Sequence, residues 1–408
     1  MPTTTSSNQR KRTQTPVYAS VGTILGAATS CAVAAVVALL LEAVASTRAN
    51  SGQGYAQWTA RVSSDWAAWW TWVLGDFTEP TSYKSPLSSL GLLAGVLLAY
   101  FMWRRASRFA GTPVSYGFGD RLPWLLGSVF LSLLVSNLLY RDLMTEGQWQ
   151  PTFVVVASVP AAIVLLYGCG WAVLLTAAIL GVATVPPISM LLIAKLCVPL
   201  HIPNVIGIVL AMALGGIAAC TVCRILPWMR TADGIPQPDP ARDAVLAPRA
   251  SGRYSEFCWT IRRVLCDFSE AQFIGNEWAG GLMIAGACAG FLINPSFAGY
   301  GLELLPRIIL AQVLASAIGV VLWRQWYRDG GWTATYVPVV SSAPTAVVAF
   351  HGNWAAIIWG AVIGAAIGAP TARLLAKPLH TMFHPYIANV TSMAVTTLVV
   401  YELLNFIL

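Results

Sequence analysis

The stretch that decides the fold covers residues 122–187. It opens on Leu122-Pro123 and carries Arg141, Gly147, Trp149, Thr152, Ser158, Trp171-Ala172, Gly181 and Pro187. Residues 305–370 repeat it without a gap. Leu305-Pro306, Arg324, Gly330, Trp332, Thr335, Ser341, Trp354-Ala355, Gly364 and Pro370 fall in the same order at a constant offset of 183. Eighteen of the 66 pairs are identical, and Glu146 against Asp329 is a further conservative match. Shared apolar composition gives scattered Leu, Ala and Val matches. It does not give ordered Arg, Trp, Gly and Pro matches, so the chain is read as an internal duplication.

Outward from this block the register continues with small shifts. Upstream the offset is 191: Asp76-Phe77-Thr78-Glu79 matches Asp267-Phe268-Ser269-Glu270, and Ala94-Gly95 matches Ala285-Gly286. The difference of eight falls in the loop 104–121. Downstream the offset is 182, where Ala194-Lys195 matches Ala376-Lys377 and Pro203 matches Pro385.

Composition sets the class in which such a duplication must be read. The 408 residues are 57% apolar and 10% charged, against about 25% charged for an ordinary soluble domain. That excludes a soluble enzyme, a disordered chain and a nucleic-acid binder. A membrane helix needs about 20 mostly apolar residues. Eleven segments qualify or nearly qualify: 17–45, 87–103, 122–140, 152–167, 171–193, 203–223, 279–297, 306–323, 335–350, 354–375 and 386–408. The expected fold is an all-α polytopic membrane protein, with two inverted five-helix repeats after one N-terminal transmembrane helix. Its parts are a cytoplasmic tail (1–16), the first helix (17–45), the first repeat with a Trp-rich interfacial helix (55–225), a cytoplasmic linker (226–253) and the second repeat (254–408). The segments at 152 and 335 are short and hold Pro and Ser, as re-entrant or broken helices do.

Five crossings per repeat is an odd number, so the second copy is inverted relative to the first. Charge gives an independent check. With the N-terminus inside, eighteen of the 24 Lys and Arg fall on cytoplasmic segments, as the positive-inside rule requires. The expected location is the cell membrane, N-terminus cytoplasmic and C-terminus outside.

Inverted repeats are the usual build of secondary transporters, with the solute near the midplane at broken helices. The matched candidates for the site are Thr152, Ser158 and Pro160 in the first half. In the second half they are Thr335, Tyr336, Pro338, Ser341, Ser342 and Pro344. Proline removes a backbone donor and frees a carbonyl; the hydroxyls either repair the break or bind solute. Pro186-Pro187 and Pro370, with Gly181 and Gly364 two turns earlier, read as tight helix crossings.

Asp76, Glu79, Asp267 and Glu270 each precede a span and read as interfacial caps. Arg141 and Arg324 read as interface anchors, and Glu42 and Glu402 lie unrepeated in apolar runs. Of the four histidines, His351 with Asn353 follows a Pro-Ser segment and is the candidate for proton coupling. Trp58, Trp66, Trp69, Trp70 and Trp72 read as an amphipathic helix in the outer interface, with residues 254–265 as its cytoplasmic mate. The eight Cys lie mostly in apolar runs, and Cys220 and Cys223 form a lone C-x-x-C with no metal partner.

The string Gln272-Phe-Ile-Gly-Asn276-Glu-Trp-Ala-Gly280 resembles the helix-opening Gln, Asn and Gly pattern of urea transporters, which are also two inverted five-helix copies. The Leu-Pro-x-x-Thr-x-Pro-Phe signature of that family is absent from both halves, and no residue role is carried over.

The expected function is a non-enzymatic transporter, secondary-active or facilitative, moving a small-molecule solute between the repeats. Its expected partners are membrane lipid, the solute, a proton or sodium as coupling ion, and a second copy in a homo-oligomer; no cofactor, metal or nucleic acid is expected. A passive channel, or a membrane-embedded enzyme or assembly subunit handling a lipid-linked substrate, stands as the alternative.

Overall fold

A computed structural model describes residues 19–47, 54–117, 119–143, 151–229, 253–297, 299–328, 332–380 and 382–408. The tail 1–16, most of the linker 226–253, Gly147, Trp149, Gly330 and the Glu146/Asp329 match lie outside the described residues. Among the described residues every regular element is helical.

The helices are α1 (Val21–Ser46), α2 (Tyr55–Arg61), α3 (Trp66–Asp76), α4 (Pro86–Arg104), α5 (Leu122–Leu139), α6 (Val159–Tyr167) and α7 (Trp171–Leu192). They continue with α8 (Asn204–Ile225), α9 (Arg253–Asp267), α10 (Glu277–Ile293), α11 (Leu305–Leu322), α12 (Ser342–Ala349), α13 (Trp354–Ala376) and α14 (Tyr386–Ile407). Among the described residues eight stretches are long and apolar enough to cross a membrane: α1, α4, Gly119–Leu139, Trp171–Leu200, α8, α11, α13 and α14. Three apolar stretches are shorter: Thr152–Tyr167, α10 and Val337–Ala349.

Local chemistry sets the helix starts. Ser20, Ser85 and Asn276 cap α1, α4 and α10 through side-chain oxygens on the first free N–H groups. Pro86, Pro123 and Pro306 occupy first-turn positions, where a missing N–H costs nothing.

Helices α4 and α10 are packed almost backbone to backbone. A Cβ at Gly95 would overlap the Trp278 carbonyl oxygen and lie 2.7 Å from Ala279 Cα. One at Gly286 would overlap the Leu87 carbonyl oxygen and lie 2.9 Å from Ser88 Cα. Gly91 meets Leu282 and Gly290 meets Ser85 in the same way. As numbering rises along α4 it falls along α10, so the two helices run antiparallel. Helices α8 and α14 are also antiparallel. The Tyr386 hydroxyl donates to the Met212 carbonyl at 3.0 Å, and Tyr401 reaches the His201 carbonyl ahead of α8.

Helix α1 docks on the second half. Thr23 donates to Glu256 at 2.9 Å, Arg307 pairs with Glu42 at 2.7 Å, and Gly26 lies against Phe257 and Thr260. The segments at 152 and 335 are broken helices. In the first, a single turn (Thr152–Val155) ends at Ser158, whose backbone leaves helical geometry before α6. In the second, Val337–Val340 ends at Ser341 before α12. Helix α7 passes Pro186-Pro187 and then forms a π-helical turn, Ile193–Cys197.

Candidate functional site

The matched acids are not exposed caps at helix N-termini. Asp76 and Asp267 are wholly buried, and Glu79 and Glu270 nearly so. Asp76 ends α3 and Asp267 ends α9. A carboxylate at a helix C-terminus is disfavoured by the helix dipole, so each needs a cation and donors of its own.

In the first half Lys84 Nζ pairs with Asp76 and with Glu79, 2.7 Å away in the latter case. The ammonium sits 3.6 Å above the Trp72 ring, a cation–π contact strengthened by the loss of water. Asn137 Nδ2 and Thr152 Oγ1 donate to Asp76 Oδ2 at 2.8 and 2.9 Å. In the second half Arg263 Nη2 pairs with Asp267 Oδ1 at 2.6 Å and Glu270 Oε1 at 2.5 Å. Ser316 and Thr335 donate to Asp267 at 2.5 and 2.9 Å, and Tyr327 joins Thr335 at 2.7 Å. Each half thus holds two carboxylates, one cation and one threonine from the start of its broken helix.

A Tyr-Gly pair closes each cluster from the opposite half. Tyr116-Gly117 and Tyr300-Gly301 both have positive φ: 56° and 89°, then 62° and 75°. The Tyr116 hydroxyl donates to the Glu270 backbone carbonyl at 3.1 Å. Tyr300 hydrogen-bonds with Ser82 and lies in the field of Glu79. Because α4 and α10 are antiparallel, these two covers sit at opposite ends of the molecule. Aromatic rings extend them: Tyr55 beside Tyr300, and Phe273 and Trp332 beside Tyr116.

Between the clusters, buried amides cross from one half to the other. Gln312 accepts from the Tyr83 hydroxyl at 2.8 Å and donates to the Thr81 carbonyl at 2.9 Å. Gln272 Nε2 donates to the Phe77 carbonyl at 3.2 Å, while its Oε1 is buried with no donor. A shallow cleft opens beside the second cluster, lined by Thr112, Trp259, Arg262 and Arg263.

The residues selected from the sequence divide accordingly. Thr152 and Thr335 reach the acids, and Tyr336 is buried in the field of Glu270. Ser158 and Ser341 donate to the carbonyls four residues back, Val154 and Val337, at 2.5 and 2.6 Å, which repairs the breaks locally. Pro160 packs on Gly181, Pro338 and Ser342 pack on Gly364, and Pro344 is buried in α12. His351 is an exposed loop residue with positive φ, and Asn353 caps α13. Neither belongs to a cluster.

Other readings change too. Trp58, Trp69 and Trp72 are buried, while only Trp66 and Trp70 of that group are exposed. The Trp-rich segment is therefore two packed helices that supply the ring under Lys84. Arg324 is buried, paired with Glu256 at 3.0 Å and stacked 3.7 Å from the Trp259 ring. In the string from Gln272, Asn276 is the α10 cap and Gly280 lets α9 approach. Cys220 and Cys223 are buried thiols. Among the described residues no group of three or more His, Cys, Asp or Glu is placed to hold a metal ion.

Eight apolar helices of crossing length and a core sealed around ion pairs define an α-helical protein integral to a membrane. No known family model matches the chain, and no curated protein matches it.

Proposed function

We propose that the chain is a transporter for a small polar solute, built from two inverted repeats with eleven crossing or re-entrant segments, whose path follows the seam between them. The reciprocal contact of α4 and α10 carries this reading. Gly95 lies on Trp278 and Ala279, and Gly286 lies on Leu87 and Ser88; adding 191 to the members of the first half converts one contact into the other. Such a self-complementary contact is what a two-fold axis between halves produces. With antiparallel helices, that axis lies in the membrane plane, the arrangement used for alternating access. The antiparallel pair α8 and α14, related by the offset of 182, supports the same axis.

Gln272 and Gln312 give the seam polar groups at its middle, and the two Tyr-Gly covers close its ends. The present conformation is the shut one. Opening one cover at a time would admit solute from one face and then from the other.

The test is flux in reconstituted liposomes screened across small polar solutes, with Gln272→Ala as the seam variant. Saturable uptake that weakens in the variant supports the reading, and uptake that never saturates makes the protein a channel. No flux for any solute removes transport. Single cysteines at positions 142 and 325 test the topology; labelling from the same face of the membrane would remove the inversion.

A further inference from the structure

We infer that Glu270 is a proton-binding site: its buried carboxylate takes one proton from water and becomes a neutral carboxylic acid, with the proton on Oε2. The inference deepens the transport reading, since it names the coupling ion, and rests on that reading for its role though not for its detection.

Asp267 and Glu270 are both buried, and one guanidinium, Arg263, serves them both. With every group in its ordinary state this cluster carries one excess negative charge away from water. Burying an uncompensated ion costs several kcal/mol or more, and a group so placed changes its protonation instead. Arg263 cannot lose its proton to change the balance.

The hydrogen bonds decide which acid takes the proton. Asp267 accepts from Arg263, Ser316 and Thr335 at 2.6, 2.5 and 2.9 Å. Three donors hold it as an anion. On Glu270, Arg263 and a long contact from Trp332 Nε1 at 3.5 Å both fall on Oε1. Among the described residues Oε2 is buried with no partner. A lone pair left bare in the interior is the place for a proton. The guanidinium 2.5 Å from the other oxygen of the same carboxylate repels a metal cation, which would also need several more oxygen ligands.

Among the described residues the other nearby ions are Arg262 and Glu277, which pair with each other at 2.7 Å on the far side of Cys266. Facing Glu270 are Arg263, Cys266 and Asp267 from α9, Tyr327 from the short helix Arg324–Arg328, Tyr336 from the second broken helix and Tyr116 from the loop after α4. The Cys266 thiol and the Tyr116 and Tyr327 phenols are pushed upward by burial and stay neutral. His384, against the Phe273 ring, is pushed down to about 4 and is neutral as well. Burial pushes Glu270 itself up to about 8, against the pull of Arg263. Access to water runs past Trp332, which is 44% exposed. In the first half the cation is Lys84, which contacts both acids and can itself give up a proton when buried, so the first cluster has a different means of balancing its charge.

The test is infrared difference spectroscopy of the full chain in lipid nanodiscs, without solute, followed against pH. A protonated-carboxyl C=O band is expected that fades as pH rises through about 8. It should be lost in Glu270→Gln and kept in Glu79→Gln. Glu270→Gln mimics the neutral acid and is expected to fold. Asp267→Asn removes the neighbouring like charge and should move the titration at least tenfold in proton concentration toward acid. A spectrum with no titrating carboxyl, a band that survives Glu270→Gln, or a titration unmoved in Asp267→Asn overturns the inference. If the carboxyl titrates but liposomes pass no solute, only the transport reading falls. If solute crosses and no carboxyl titrates, only the proton site falls.

Discussion

Thr335 donates its hydroxyl to Asp267 at 2.9 Å, and Thr152 makes the matching bond to Asp76 at the same distance. Each threonine begins a broken helix and each aspartate ends a short one, so a single hydroxyl ties two irregular backbone segments together. Removing one donor from a buried carboxylate costs about 1–3 kcal/mol. Thr335→Val should therefore lower the thermal unfolding temperature of the detergent-solubilised protein, and Thr335→Ser should restore most of it. A loss in Thr335→Ser with none in Thr335→Val would show that the methyl group, not the hydroxyl, is what the site uses.

The α4–α10 contact predicts a sharp difference among glycines of one helix. A Cβ at Gly286 overlaps the Leu87 backbone, whereas one at Gly281 finds only Leu265 Cδ1 at 3.9 Å. Overpacking of this kind costs about 1–3 kcal/mol. Gly286→Ala should lower the unfolding temperature and Gly95→Ala should do the same, while Gly281→Ala should be neutral. A neutral Gly286→Ala would mean that the seam is looser than these contacts require.

Lys84 provides a test of the first cluster by charge alone. Taking one partner from a buried ion pair costs about 3–5 kcal/mol, because the remaining charge is stranded. Lys84→Met leaves two buried acids without their cation and should abolish folding or strongly reduce the yield of monodisperse protein. Adding Glu79→Gln to Lys84→Met should recover part of the loss in size-exclusion profiles, since one stranded charge is then gone. A double variant no better than the single one would argue against charge as the cause.

The all-helical class, the helix positions and the breaks near Ser158 and Ser341 were legible because they depend on residues close in sequence. The clusters were not. Asp76 draws donors from Asn137 and Thr152, on segments far along the chain, and hydropathy along a helix carries no trace of them. The cations were hidden for another reason. Arg263 lies four residues before Asp267, and Lys84 lies eight after Asp76, so a residue-by-residue alignment of the halves never pairs them. The usable signal was the recurrence of Asp-Phe-x-Glu with one basic residue within reach on either side. The Tyr-Gly covers escaped because they fall in the loops where the offset drops by eight. His351 stood out only by its residue type, and it lies in an exposed turn.

Stability against pH follows from the signs of three shifts. Glu270 is raised from 4.5 to about 8 in the folded state. Between those values the folded chain holds a proton that the unfolded chain has released, so this group makes stability fall as pH rises. His384 is lowered from 6.5 to about 4. Between those values the unfolded chain holds the extra proton, so this group makes stability rise with pH. A third shift joins them: burial lowers Lys84 well below its usual range, so this group too makes stability rise with pH. The share of Glu270 is therefore read from a difference. The unfolding temperature of the wild type minus that of Glu270→Gln should fall as pH rises from 4.5 to about 8. A difference that is flat or rising across this range would show that Glu270 is ionised throughout.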